Sequence, residues 1–409
     1  MELGLLRLAI ALYLAGTVAA LVGIAVRQDL PRTLLPRLLW AGFVAHGLSI
    51  AGRSWTAGHM AVTTFDEALS FLALLLIAVF LVVQLRRPLV ALGAVVCPLA
   101  FGLTLAADAV YRGARPLAPG LDSAWLPIHV VLSVLGDAVF ALAFSASLLY
   151  LGATFDALAG IAMQRELPRW LLPRLLLGGL AVHGAAIILR SAAAGHIAVT
   201  TFAEALSFLA VVLVAIFLAV QARRPLVALG AVVSPLAFGL VLAADAAYSG
   251  ARPLPPVLHS AWLPVHVVLA TLGDAVFALA FSASLLYLIQ ERRLKTHRGR
   301  GVLRHLPSLE TLDRVNYACL VWGLVLLTLG IMSGIVWAHE AWGRSWSNDP
   351  KLVFSLLTWA VNVVLLQGRM TAGWRGRWAA TLTIAGFAVI VLSLVSVNVL
   401  ALGNHGKAF

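Results

Sequence analysis

A succession of apolar windows constrains this chain more than any other feature. They fall near 3–26, 34–52, 66–85, 88–107, 127–163, 171–190, 203–222, 225–243, 262–290, 315–337, 351–368 and 379–402. A helix crosses the ~30 Å hydrocarbon core with about 20 apolar residues, at about 1.5 Å per residue. Inside lipid the backbone must satisfy its own hydrogen bonds, which leaves helices for runs of this length. With 62% hydrophobic and 11% charged residues, the chain is far from the roughly 25% charge of a soluble domain. The expectation is an all-α polytopic membrane protein with about twelve transmembrane helices. Its net charge of +12 comes from arginines lying between apolar runs. That is the pattern of membrane orientation, so the lipid bilayer is the expected partner and nucleic acid is not. The first window lacks a basic leader and a small-residue cleavage site, and reads as a retained span. Cys97 and Cys319 have no pairing or metal-binding spacing and read as packing residues.

The chain also repeats itself at an offset of 137 residues: 86–96 (RRPLVALGAVV) recurs at 223–233, and 135–151 (LGDAVFALAFSASLLYL) recurs at 272–288. This predicts a tandem four-span repeat, with 1–150 as the first copy, 151–290 as the second, and 291–409 as three C-terminal spans. Features present in both copies are weak evidence of function, because duplication alone accounts for them. One window, 127–163, would make a helix of roughly 55 Å, either a single crossing that runs past the membrane or two short ones. On the single-crossing reading most of the 29 Lys and Arg residues fall on one side. The positive-inside rule then puts both termini outside a bacterial cytoplasmic membrane.

Between the windows 315–337 and 351–368 lies 337–351, WAHEAWGRSWSNDPK, with three tryptophans among glycine, proline and charge. Arg344, Asp349 and Lys351 are costly in hydrocarbon, so this stretch is expected to be an ordered loop on the outer face. An interfacial aromatic belt accounts for the tryptophans. So does a flat aromatic surface for a ligand, with Arg344 and Lys351 as cations. His266 opens one span on the same face, after HSAWLP, and His405 follows the last span. Any one of these histidines could simply sit at an interface; two that flank one aromatic loop match the needs of a haem. Haem iron takes axial histidine, its ring takes aromatic contact, and its propionates take cations. His183, its copy His46, and the acids Asp137 and Asp274 lie within spans. There a polar group is either bonded between helices or faces a cavity.

The loop resembles the tryptophan-rich WWD segment of the cytochrome c assembly proteins, W-A-x-x-A-W-G-x-x-W-x-W-D-P-K-E. It matches at Trp337, Ala338, Ala341, Trp342, Gly343, Trp346, Asp349, Pro350 and Lys351, and departs at Asn348 and Leu352. The P-K ending is similar to the system II, CcsA/ResC-type branch. Within that resemblance, the segments around His266 and His405 are similar to those carrying the two outer haem ligands. Residues 1–150 would then be an added copy with an extra His129. In the family, a histidine belongs where Gln367 stands in LQGR, which puts an inner haem site in doubt. The segment 195–204 keeps Glu204 of a family motif and loses its Pro, Asn and Tyr.

What the resemblance implies is a haem-binding subunit of cytochrome c biogenesis, with haem b as its bound substrate. The axial ligands would be His266 and His405. Trp337, Trp342, Trp346, Asp349, Arg344 and Lys351 would surround the ring, and His183 and His129 are further candidates. The partners implied are an apocytochrome c carrying C-x-x-C-H, which would receive the haem, and a CcsB/ResB-type membrane subunit, with which this chain would form a haem lyase complex. Two alternatives stand beside it: a secondary transporter built from parallel four-span repeats, and a haem-binding relative without ligase activity. The expected topology is directly testable. Reporter fusions at Arg87, Arg224 and Arg300 should report cytoplasm, and fusions after Trp346 and His405 should report the outside. Opposite answers at 87 and 224 would mean that 127–163 crosses twice.

Overall fold

The computed structural model describes residues 2–26, 30–86, 89–111, 113, 125–155, 170–224, 226–248, 259–296, 306–343 and 350–398. Among these, every regular element is an α-helix: α1 (Glu2–Val26), α2 (Leu30–Ala57), α3 (Phe65–Arg86), α4 (Val90–Ala109), α5 (Trp125–Phe155), α6 (Leu171–Ala194), α7 (Phe202–Arg223), α8 (Val227–Ala247), α9 (Trp262–Lys295), α10 (Leu309–Trp342), α11 (Pro350–Thr371) and α12 (Arg377–Asn398). Each of the twelve is long and apolar enough to cross a bilayer, and the chain is a polytopic membrane protein. Where the sequence left one crossing or two open, the described part of 127–163, residues 127–155, lies within one continuous helix of 31 residues, Trp125–Phe155.

Helix boundaries follow local chemistry. At the start of α7 the Thr201 hydroxyl accepts the Glu204 N–H at 3.2 Å, while the Glu204 carboxylate accepts the N–H groups of Thr200 and Thr201 at 2.9 and 3.2 Å. This is a capping box, and it gives the retained acid of the 195–204 segment a structural role. Glu67 accepts the Thr63 and Thr64 N–H groups in the same way at α3. Ser308 caps α10 through the Thr311 N–H, and Gly343 ends it with φ at 67°, a left-handed conformation that suits glycine. The tryptophan stretch is therefore partly helical. Trp337 and Trp342 belong to the last turns of α10 rather than to a loop, because their apolar rings extend its packed stripe as far as that glycine.

The contacts divide the chain into two compact units, one built from Met1–Ala193 and the other from Ala194–Tyr248 with Arg252–Phe409. In the first, α1 packs on α2 and α4, and α3 packs on α4 and α5. Among its described residues, several buried polar groups are paired. The Arg53 guanidinium meets Asp66 at 2.8 Å and Glu67 at 3.1 Å, and lies 4.6 Å from the centre of the Tyr111 ring. Tyr111 donates to Glu2 at 2.6 Å; partial burial first, then that bond, hold its phenol above the usual range. His46 is buried between Tyr13 and Ser70, at 3.3 and 2.8 Å. His183 is buried and pairs with Asp137 at 2.8 Å. A buried charge whose partner is removed is strongly destabilising, so these pairs keep such groups tolerable inside a membrane.

In the second unit α9 is central. It packs on α10, α12, α7 and α8, while α11 bridges α10 and α12. The α9–α10 seam is lined by glycines that let the backbones approach, the usual device where lipid supplies no hydrophobic drive between helices. A Cβ on Gly323 would sit 2.7 Å from Phe277, one on Gly330 3.3 Å from the Ala270 nitrogen, and one on Gly273 3.4 Å from the Leu327 nitrogen. Toward the opposite end, Asn316 donates to Ser284 and Thr383 at 2.8 and 3.0 Å and accepts from Arg369 at 2.7 Å. Arg369 also meets Asp313 at 2.8 Å, which ties α9, α10, α11 and α12 together. The glycine seam predicts that Gly323→Ala lowers stability by about 1–3 kcal/mol through overpacking. Gly102→Ala, whose Cβ meets nothing within 4 Å, should be neutral or stabilising by helix propensity. Thermal unfolding of the two variants in detergent compares them directly.

Candidate functional site

The glycine seam delivers His266 to its place. Gly330 and Gly334 lie one turn apart on α10, and a side chain at Gly334 would strike the His266 ring, with its Cβ 2.8 Å from Cε1 and Nδ1. The imidazole fills that space. Its Nδ1–H donates to the Gly330 carbonyl at 2.9 Å, since a carbonyl can only accept. The bond fixes the tautomer and leaves the lone pair on Nε2, an arrangement typical of histidines that bind a metal. Trp337 lies parallel to the imidazole, with ring centres 5.9 Å apart and planes 10° apart. Trp342 meets Trp337 edge-on at 4.9 Å. Leu263 is buried with Trp337, and Val267, Ala341 and Trp342 pack around that pair.

These groups border a cavity of about 900 Å³ including its open mouth, enclosed by α9, α10, α11 and α12. Its wall is mostly apolar, from Ala270, Leu327, Ile331, Ile335, Ile390 and Leu394, with Trp342 at one edge. The polar groups are few: His266, Asp274, Lys351, Ser355, Thr358 and Ser393. A second cavity lies on the α7 side of α9 and shares His266, Ala270, Asp274, Lys351 and Leu394 with the first.

Of the candidates read from the sequence, the structure brings His266, Trp337, Trp342 and Lys351 together. Arg344, Trp346, Asp349 and His405 lie outside the described residues. Trp337 is 1% exposed, so it is a core residue as well as a wall of the site. Within the first unit, His129 repeats the local geometry of His266, its Nδ1 donating to the Ala186 carbonyl at 3.1 Å. His183 is engaged by Asp137, and Gln367 on α11 is exposed. The residue that sequence reasoning set aside is Asp274. Its counterpart Asp137 is consumed by His183, but at the matching place on α10 stands Leu327, packed on Gly273, and Asp274 opens onto the cavity instead. The available signal was the expense of an acid inside a span.

The class defined by this architecture is a helical membrane protein whose C-terminal bundle encloses a cavity lined by histidine and tryptophan. Residues 199–405 match the cytochrome c assembly protein family, and the chain belongs to it, as a CcsA-type member. It is 32% identical over 246 residues to the cytochrome c biogenesis protein CcsA of Synechococcus sp. (strain CC9605), covering 54% of this chain and 81% of that one. With the cytochrome c biogenesis protein CcsA of Synechococcus elongatus it shares 34% over 259 residues, covering 52% of this chain and 79% of that one. With that of Chlamydomonas reinhardtii it shares 33% over 232 residues, covering 54% and 64%.

The packing separates the two tryptophans energetically. Trp337→Ala removes a fully buried ring and should cost about 3–5 kcal/mol, seen as a large fall in melting temperature in detergent. Trp342→Ala, half-buried at the cavity edge, should cost clearly less in the same measurement.

Proposed function

We propose that this protein takes part in cytochrome c biogenesis by holding haem b, as a bound substrate, in the cavity beside His266 at the outer membrane face. From there it would present the ring to the C-x-x-C-H thiols of an apocytochrome c. The observation that carries the reading is the His266 imidazole. Its Nδ1 donates to a backbone carbonyl, its face lies against Trp337, and it borders the apolar cavity.

The residues present fit an iron porphyrin. Nε2 of His266 is the nitrogen left to ligate iron, the apolar wall and Trp342 suit the macrocycle, and Lys351 suits a propionate. When bound, haem supplies the vinyl groups to which cysteine thiols add. The protein's part would be to offer the His266 imidazole to the iron, exclude water from the ring and orient it. Within this proposal His405 supplies the second imidazole, and Arg344, Trp346 and Asp349 complete the rim. A CcsB/ResB-type subunit would complete the haem lyase. Gln367 and the engagement of His183 by Asp137 favour a single, outer haem site.

An absorption spectrum of the purified protein tests the reading, which requires a Soret band. His266→Gly should shift that spectrum and added imidazole should restore it, because an open axial position takes water or exogenous ligand. His129→Gly should leave the spectrum unchanged. A spectrum that responds to His129 and ignores His266 would move the site to the first unit.

A further inference from the structure

The four helices that border the chamber are not held equally. α9 and α10 are packed as far as their outer ends, where Leu263 and Trp337 are buried together. Among the described spans, α11 and α12 have the smallest buried share. The buried residues of α11 are Thr358, Asn362, Leu365, Gly368 and Arg369, and none of 350–357 is buried. On α12 burial runs from Ala379 to Ile390, and none of 391–396 is buried. These outer halves nevertheless wall the cavity, through Lys351, Leu352, Ser355, Ser393 and Leu394. The inner halves are anchored. Leu365 shares a core with Phe277, Leu320, Ala379 and Ile390, Phe281 stacks on Phe387 with ring centres 4.7 Å apart, and Arg369 is bonded to Asp313 and Asn316. At the boundary between the two halves of α11, the Trp359 Nε1–H donates to the Thr328 hydroxyl of α10 at 3.0 Å.

We propose that the outer halves of α11 and α12 form a hinged wall that swings away from the α9–α10 seam to admit and release the ring, with the Trp359–Thr328 bond as its latch. This rests on the haem reading above and adds the route by which the ligand moves. A macrocycle enters a space bordered by helices where a wall yields, and segments with few buried contacts are the ones that open. The α9–α10 seam, which fixes His266, stays shut while they do. The hinge falls where burial begins, at Thr358 on α11 and Ile390 on α12. The latch suits its surroundings, since a polar N–H within a span finds no water and returns to its protein partner. Neither Trp359 nor Thr328 lines the cavity, so Trp359 acts on the wall as a positioning residue and not on the ring.

Two measurements on the detergent-purified full-length protein test this. In haem-free protein, hydrogen exchange should be faster at amides 354–357 of α11 and 391–394 of α12 than at 266–269 of α9 and 334–338 of α10, which lie at the same end of the bundle. Equal or reversed protection overturns the hinged wall. The second measurement times haemin uptake, and its release to excess apomyoglobin. Trp359→Phe, which keeps a ring and loses the donor, should raise both rates roughly fivefold, the weight of one hydrogen bond. Affinity and Soret position should stay at their wild-type values, because a latch changes the path and not its ends. Thr328→Val, which removes the acceptor, should do the same, and the double variant should be no faster than either single one. Unchanged rates overturn the latch. So does faster release with weaker binding and unchanged uptake, which would show that the bond only shapes the site. Wild-type protein that takes up no haemin overturns the haem reading, whereas the exchange pattern of the empty protein still decides the hinged wall.

Discussion

The close approach of α9 and α10 is the contact on which the site depends. A lipid-embedded helix pair gains little from burying apolar side chains, so it must gain from close packing and from polar groups that find partners. Glycines at 273, 323, 330 and 334 remove the side chains that would hold these backbones apart. The space released at Gly334 is taken by the His266 ring, and the carbonyl of Gly330 receives its Nδ1–H. A single packing choice thus sets helix separation, imidazole orientation and tautomer together. Trp337 then closes over the imidazole and is itself sealed by Leu263.

The same seam explains why the second unit has a cavity. The α5–α6 pair in the first unit meets in the manner of α9–α10, with His129 on the Ala186 carbonyl and Phe140 against Gly179. There the polar interior is closed, with His183 filling the place opposite Gly136 and bonding to Asp137. In the second unit Leu327 stands opposite Gly273 and offers its acid neighbour nothing. Asp274 turns to a chamber bordered by α11 and α12. Near-identical helices therefore carry different chemistry because their partners differ: one acid is paired with a histidine and the other lines a cavity.

Much of the fold was legible in the sequence because the bilayer leaves a chain few options. Apolar windows of sufficient length must be helices, and twelve windows became twelve helices. The tryptophan segment was legible as a motif, and residues 199–405 match the family that it suggested. Its division between helix and loop was misread. Glycine, proline and charge in 343–350 weakened the apolar signal, and no local pattern announced that Trp337 and Trp342 extend the packed face of α10 up to Gly343.

By itself the sequence determined the class of fold, since span length and charge placement act locally and the membrane converts them into helices. It also determined which residues had iron-binding and aromatic chemistry to offer, because a motif fixes residue type. Which of them meet was decided by tertiary structure alone. His266 and Trp337 are 71 residues apart in the chain and become parallel rings only because two glycine-lined helices pack together. The fate of the two intramembrane acids is the clearest case. Asp137 and Asp274 lie in near-identical segments, so no local rule could part them. One is neutralised by a histidine on its neighbour helix and the other opens onto a cavity, because a buried charge is governed by whatever the fold brings within a few ångströms of it.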